Sequence, residues 1–425
     1  MKCQRTLPPS AAPLSWRDLA AGLAGLLRPS ETRFKLEEQF RAFFGVRHAL
    51  FVSSGKAALT TILLALHQLS GRRQVVLPGY TCFSVPSAVR RAELTIRLCD
   101  VELETLDFDW SRLARMVDSD TLCVLPTHLY GCISDVKRVR EICRPHGAFV
   151  LEDAAQAFGG KSNGAQIGTL GDVSFLSFGR GKNVSCGSGG VILSNDERIG
   201  KAIEEQYQRL PEETTVAAFK NFLEVALMQL FMRPELFWLP SGLPFLRIGE
   251  TKFYKDFPMF RMDPIRCGLL HGWKRRLEST SGARLSRGAY YTKWFSRIGG
   301  FLLPTDHSKQ GVVLRLPVLL PNAQAKLAVC EAATQCGLGV SGSYPTCLGD
   351  VPELSEWTQG SEVPQARELA SRVVTLPTHE WVTEQDLARV CQLFVDIPWR
   401  SVKVEGVSAD EAPQPAKSGM SGASR

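Results

Sequence analysis

Between about Phe40 and Ser194 the chain alternates short apolar runs with segments of helical spacing. The runs at 74–77, 94–98, 122–126, 149–151 and 173–178 are continuous rather than alternating. That pattern predicts strands covered on both faces, as in a mainly parallel sheet. The segments at 57–69 and 135–143 carry helical periodicity, so the repeat is strand, helix, strand. An α/β fold follows, with ligands expected at the carboxyl ends of the strands. An N-terminal arm (1–35) precedes this region and includes a helix over 17–27 with an apolar stripe.

The large domain is expected over 36–274, with an apolar insertion at 206–258. Its most apolar part, 216–246, contains the uncharged runs Val225 to Met232 and Leu236 to Leu246, and none longer. Both are far below the roughly 18–20 residues needed to cross a bilayer. Pro234, Pro240 and Pro244 then stop any helix. The segment reads as a buried or interface-forming helical hairpin, with peripheral membrane contact as the other reading. A second α/β pattern, with strands near 311–319 and 373–376, predicts a smaller domain over 275–398. Residues 399–425, rich in Ser, Ala, Gly, Pro and Lys, have too little apolar content to repay ordering and read as a disordered tail.

Composition narrows the function. With 44% hydrophobic and 22% charged residues in 425, the chain is of ordinary globular type and long enough for two or three domains. The net charge of +7 is mild. No basic stretch is interleaved with aromatics, so nucleic-acid binding is not expected. Twelve scattered cysteines form no CxxC pair, so neither a zinc site nor a disulfide scaffold is expected. Residues 1–16 lack a signal-peptide pattern, and the expected location is the cytoplasm.

Four segments could carry chemistry. Ser53-Ser54-Gly55-Lys56 opens a helix, where free N–H groups favour an anion. Glu152-Asp153 ends a strand. SFGRGKN (177–183) places Lys182 between Gly181 and Asn183 after another strand, and CGSGG (186–190) allows tight turns. Taken singly, these segments are as well explained by a helix cap, a loop carboxylate and a solvated lysine.

Together they are more specific. FVSSGKAAL (51–59), HLYG (128–131), EDAAQA (152–157), GTLGD (168–172) and SFGRGKN, followed by Phe260-Arg261-Met262, Tyr344-Pro345 and LPTH (376–379), resemble the ordered signatures of the DegT/StrS-type sugar aminotransferases. These are fold type I enzymes dependent on pyridoxal 5′-phosphate (PLP). The resemblance covers about residues 30–395. It implies a large domain with a mostly parallel seven-stranded sheet, a smaller C-terminal α/β domain, and a homodimer with shared active sites. It makes Lys182 the Schiff-base lysine and catalytic base, and Asp153 the partner of the pyridine nitrogen. Gln156 would contact the ring region. Ser177, with the backbone of Gly55 and Lys56, would bind the phosphate. The implied reaction moves an amino group from an amino acid, glutamate by resemblance, to a keto-sugar nucleotide for surface polysaccharide. A sugar dehydratase is the nearest rival, although the resembling dehydratases carry His where this chain has Lys182. A non-catalytic regulatory or scaffold homologue is the rival of another class.

The chain departs from the family at four places. Lys56 stands where Thr is usual. Cys82 stands where an aromatic residue often covers the cofactor, which leaves Tyr80 or Phe83 to supply a ring. Met259 replaces an Asn that reaches the phosphate across the dimer, and Phe158 replaces a His. Lys56 is expected to compensate at the phosphate for Met259.

Overall fold

The computed structural model describes residues 5–243, 251–299, 301, 303–304, 312–358 and 360–396. The expected tail at 399–425, residues 244–246 of the apolar segment and residue 311 of a candidate strand lie outside the described residues. In chain order the strands begin with β1 (His48–Val52), β2 (Gln74–Pro78), β3 (Thr95–Cys99), β4 (Thr121–Val124) and β5 (Phe149–Asp153). A small hairpin of β6 (Lys161–Ser162) and β7 (Ala165–Gln166) leads to β8 (Val173–Ser177) and β9 (Gly190–Ser194). Seven of these make one sheet in the order β1-β9-β8-β5-β4-β2-β3. β9 runs antiparallel to both neighbours, and the remaining pairs are parallel. Every residue of β4 and β9 is buried, which is why their apolar runs do not alternate.

Helices α1 (Trp16–Ala24) and α2 (Pro29–Phe44) precede the sheet. α3 (Gly55–Ser70), α4 (Ser84–Arg91), α5 (Trp110–Met116) and α6 (Val136–Cys143) alternate with its strands. Then come α7 (Glu197–Gln208), α8 (Thr215–Phe231), α9 (Trp238–Ser241), α10 (Pro264–Leu269) and the long α11 (Trp273–Ile298). α3 starts where the Ser54 hydroxyl accepts from Ala57 N at 3.1 Å, and it buries Ala58, Leu59, Ile62, Leu63 and Leu66.

The C-terminal unit contains β10 (Arg315–Leu319), α12 (Ala323–Cys336), α13 (Ser355–Thr358), α14 (Pro364–Arg372), β11 (Val373–Pro377) and α15 (Glu384–Asp396). β10 and β11 pair antiparallel. The expected boundary at 275 falls in the first turns of α11. Trp273 of that helix belongs to the core beneath the large sheet, whereas Tyr291 and Phe295 belong to the small-domain core.

The N-terminal segment is sewn to the small domain. Leu7 enters its core, the buried Arg284 donates to Ala11 O at 2.8 Å, and His379 Nε2 donates to Pro8 O at 2.8 Å. Burial, with the nearby positive charges of Arg284, Arg287 and Arg315, pushes the His379 imidazole down to about 3. The unfolded chain takes up this proton near pH 6.5, and the folded chain does so only far below. Stability from this group is therefore lost as pH falls below 6.5, by about 1.4 kcal/mol between pH 7.5 and 5.5. Glu37, raised to about 7 chiefly by burial, titrates in the opposite sense. The informative quantity is therefore a difference. In denaturant titrations at the two pH values, His379→Asn should lose less stability than the wild type by about 1 kcal/mol. Equal losses would contradict the assignment.

The apolar insertion departs from a buried hairpin. α8 turns Ala218, Phe222, Val225 and Ala226 inward, but leaves Val216, Phe219, Leu223, Leu227 and Leu230 exposed along its outer face. The helix is apolar nearly all round, and a single chain has material to cover only one side of it. No helix among the described residues is long and apolar enough to cross a membrane.

Candidate active site

β5 and β8 are parallel neighbours, and their carboxyl ends bring two expected site residues together: Asp153 pairs in register with Phe175, two residues before Ser177. Successive residues of a strand point to opposite faces, which separates the two carboxylates of the Glu-Asp pair. Glu152 is fully buried and accepts from Gly168 N at 3.0 Å, Leu170 N at 2.6 Å and Gly171 N at 2.5 Å. His128 completes this knot with Nε2 at 3.2 Å from Glu152, while its Nδ1 accepts from Ser134 N. Glu152 is thus a structural clamp on the 168–171 loop.

Asp153 faces the other way. Its side chain has one hydrogen bond among the described residues, from Ala155 N to Oδ1 at 3.0 Å. Burial pushes its carboxyl group above the usual range, opposed by that N–H and by the positive charge of Lys182.

The loop after β8 carries Lys182. Lys182 N donates back to Gly179 O, the Ser10 hydroxyl donates to Gly181 O at 2.6 Å, and Asn183 Nδ2 donates to Phe158 O at 2.7 Å. Burial lowers the Lys182 pKa, and the charge of Arg315 lowers it further; Cys82 and Asp153 act the other way. A desolvated amine beside a carboxylate is suited to give up its proton and act as a base or nucleophile.

Opposite this loop lies the start of α3. A Cβ on Gly55 would stand 3.1 Å from Ser177 Cβ and 3.3 Å from its Oγ, so the missing side chain leaves a small cradle between the helix N-terminus and the Ser177 hydroxyl. Lys56 does not point freely into solvent. Its Nζ lies 4.5 Å from the Phe257 ring centroid and 5.0 Å from that of Tyr254, and burial lowers its pKa.

Gln156 is held on both sides: Oε1 accepts from Tyr130 N at 3.2 Å, and Nε2 donates to Tyr344 Oη at 3.0 Å. One amide hydrogen remains for a ligand. Tyr344 is the hub of an aromatic group. Tyr80 packs at 5.5 Å between centroids, and Phe83 and Tyr130 stack at 6.4 Å. Both rings left open by the sequence therefore lie on Tyr344. Tyr130 (φ +58°) and Ser343 (φ +61°), both in the left-handed region, meet through their hydroxyls. Such backbone persists in a non-glycine residue only where its surroundings over-determine it. Cys82 Sγ accepts from Ser84 Oγ at 2.9 Å, Phe158 belongs to the core beneath the sheet, and Met259 packs against the core of α3 and α4. Sequence reasoning gave no role to Tyr130, Ser343 or Tyr344, although HLYG and Tyr344-Pro345 mark two of them. A cavity of about 900 Å3 along α6, near Ala148 and Asp172, lies at the opposite ends of the strands and contains none of these groups.

A mostly parallel seven-stranded sheet, a smaller domain, and a lysine loop facing a strand-end carboxylate define a PLP enzyme of fold type I. The chain belongs to the DegT/DnrJ/EryC1/StrS aminotransferase family, whose model matches residues 24–224 and 248–395. It is 34% identical to the GDP-perosamine synthase of Vibrio cholerae over 166 residues, 39% of this chain but only 45% of that protein. The match to the spore coat polysaccharide biosynthesis protein SpsC of Bacillus subtilis is 32% over 370 residues, covering 85% of this chain and 88% of the relative. The Helicobacter pylori aminotransferase PseC, involved in the biosynthesis of pseudoaminic acid, shares the fold at a TM-score of 0.74 and 16% identity, over 92% of this chain and 98% of that one.

The family's aminotransferases depend on PLP. The residues here fit that cofactor. Asp153 keeps a carboxylate oxygen without a hydrogen-bond partner among the described residues, as a protonated pyridine nitrogen requires. The Gly55–Ser177 cradle offers N–H and hydroxyl groups to a phosphate.

Proposed function

We propose that this chain is a PLP-dependent aminotransferase that takes an amino group from an amino acid, glutamate being the expected donor, and gives it to a keto-sugar nucleotide. The observation that carries this reading is Lys182, a desolvated amine within electrostatic reach of Asp153 in a family of aminotransferases. Bound PLP would supply an electron sink for the carbanion that forms when the substrate carbon loses its proton. Lys182 would attach the cofactor and, once released, take the proton from the nitrogen-bearing substrate carbon. Asp153 would hold the ring nitrogen protonated. Gln156 would orient the ring through its remaining N–H, and Gly55, Lys56 and Ser177 would hold the phosphate. A dehydratase reading is disfavoured by a lysine where that chemistry uses His. The altered residues Lys56 and Cys82 are what favour a non-catalytic role, and the retention of Asp153, Gln156, Ser177 and Lys182 together weighs against it.

Single-turnover spectroscopy tests the proposal. Glutamate added to the PLP-loaded protein should remove the absorbance of lysine-bound cofactor and yield pyridoxamine phosphate. A spectrum indifferent to glutamate and to other amino donors would overturn it.

The name of SpsC supports surface polysaccharide as the destination of the amino sugar. The exposed stripe of α8 supports a homodimer with shared sites, because a second copy would cover what one chain leaves bare. Contact of that stripe with a membrane surface is the competing use. Lys56 follows Gly55 of the cradle and keeps its ammonium over the Phe257 and Tyr254 rings rather than in open solvent, which supports its role as a phosphate partner in place of the Asn missing at Met259. Lys56→Thr should then raise the PLP dissociation constant about tenfold or more, read by equilibrium dialysis. An unchanged constant would leave only the backbone N–H of Lys56 in the cradle.

A further inference from the structure

β10 divides its side chains between two surroundings. Leu316 and Val318 enter the small-domain core, whereas Leu319 belongs to the large-domain core. By the two-residue period of a strand, Arg315 shares the face of Leu319 and turns toward the large domain. The approach is close. At Gly131 (φ +94°) a Cβ would stand 2.9 Å from the backbone nitrogens of both Val313 and Leu314, so the turn after Tyr130 is pressed against the entry to β10. Arg315 lies within electrostatic reach of Tyr130 and Tyr344, and its charge acts on Lys182.

Arg315 has little to hold it there. Among the described residues its side chain makes one long hydrogen bond, 3.5 Å to Thr375 Oγ1, and no carboxylate lies within ion-pair distance. Arginines deeper in the protein have several partners, although Arg276 and Arg284 each keep an Nε without a hydrogen bond among the described residues. Arg284 donates to Leu314 O, Ala11 O and the Thr378 hydroxyl; Arg276 donates to Ser185 O and Leu269 O; Arg266 pairs with Asp263 and Glu213. A guanidinium presents five donors in a rigid fork that matches a carboxylate. Arg315 is half-buried and its unpaired nitrogens are not sealed in, so an anion can reach this fork and gain charge-assisted hydrogen bonds there. The neighbouring phenols are neutral and cannot substitute for one.

We propose that Arg315 binds the carboxylate of a substrate beside Lys182. This deepens the aminotransferase reading and rests on it. Two sources share that chemistry: the carboxylate of the amino-acid donor, and that of an acidic sugar. A carboxylate fixed on the small domain would orient the substrate so that its reacting carbon lies at the Lys182 amine.

The test is titration calorimetry of the PLP-loaded protein with maleate, a dicarboxylate that carries no amino group. In Arg315→Gln, maleate should bind about 10- to 100-fold more weakly, with Arg315→Lys restoring part of the loss and the absorbance of bound cofactor unchanged. The KM for glutamate should rise by a similar factor, with a smaller change in kcat, a split that a merely structural role would not give. UDP-glucuronate titrated in parallel separates the sources. A loss confined to maleate and glutamate assigns Arg315 to the donor, and a loss confined to UDP-glucuronate assigns it to an acidic sugar. Unchanged affinity for all three overturns the proposal. A wild-type protein that binds maleate through Arg315 yet never forms pyridoxamine phosphate would instead refute the aminotransferase reading.

Discussion

Lys182→Ala is expected to abolish the absorbance of lysine-bound cofactor and to slow amine transfer by about 10³-fold or more, the scale on which removal of a positioned acid–base group acts. Two roles would disappear together. The side chain is the point of covalent attachment, and it is also the base for the substrate carbon. Its depressed pKa suits both, because burial and the Arg315 charge favour the neutral amine. The fold should survive, since the loop is fixed through other groups: Lys182 N to Gly179 O, Ser10 to Gly181 O, and Asn183 to Phe158 O. PLP should still bind in the variant through the cradle, without its covalent band. Stopped-flow absorbance with glutamate measures the rate, and a variant within tenfold of the wild type would contradict the role.

Asp153→Asn is expected to keep the covalent attachment and to lose about 10²-fold in rate. A carboxylate near the ring nitrogen shifts its proton affinity by roughly 1–3 units, and a neutral amide gives up most of that. The same substitution should leave the cofactor-free protein as stable as the wild type or more so. Burial strains the carboxylate, as its raised pKa shows, and an amide removes that strain. Loss of rate without loss of melting temperature is the expected signature. Equal losses in both would make Asp153 a structural residue instead.

Much of the fold was legible because burial on both faces leaves a simple mark. The continuous apolar runs became β2, β3, β4, β5 and β8 with small shifts at their ends. The pair Glu152-Asp153 was legible as a strand end, but not its division of labour. Which carboxylate faces the pocket depends on the pleat, and which one is clamped depends on the 168–171 loop. Lys182 gained meaning only from the order of motifs around it, since a lysine in a glycine-containing loop has no signature of its own. Arg315 carried no signal at all. An arginine opening a short strand is ordinary, and its isolation arises from contacts between the domains that no local pattern encodes. The outer stripe of α8 shows a limit of the same kind. The sequence displays apolar residues all round the helix, but does not say which side the chain itself covers.

The central claim is that PLP is carried by Lys182, and covalent trapping tests it most directly. The PLP-loaded protein would be reduced with borohydride, digested, and its peptides mapped by mass spectrometry. The account predicts a single pyridoxyl-modified lysine, Lys182, within the peptide that follows β8. A modification centred on Lys56, which lies beside the same cradle, or on no lysine at all, would contradict it.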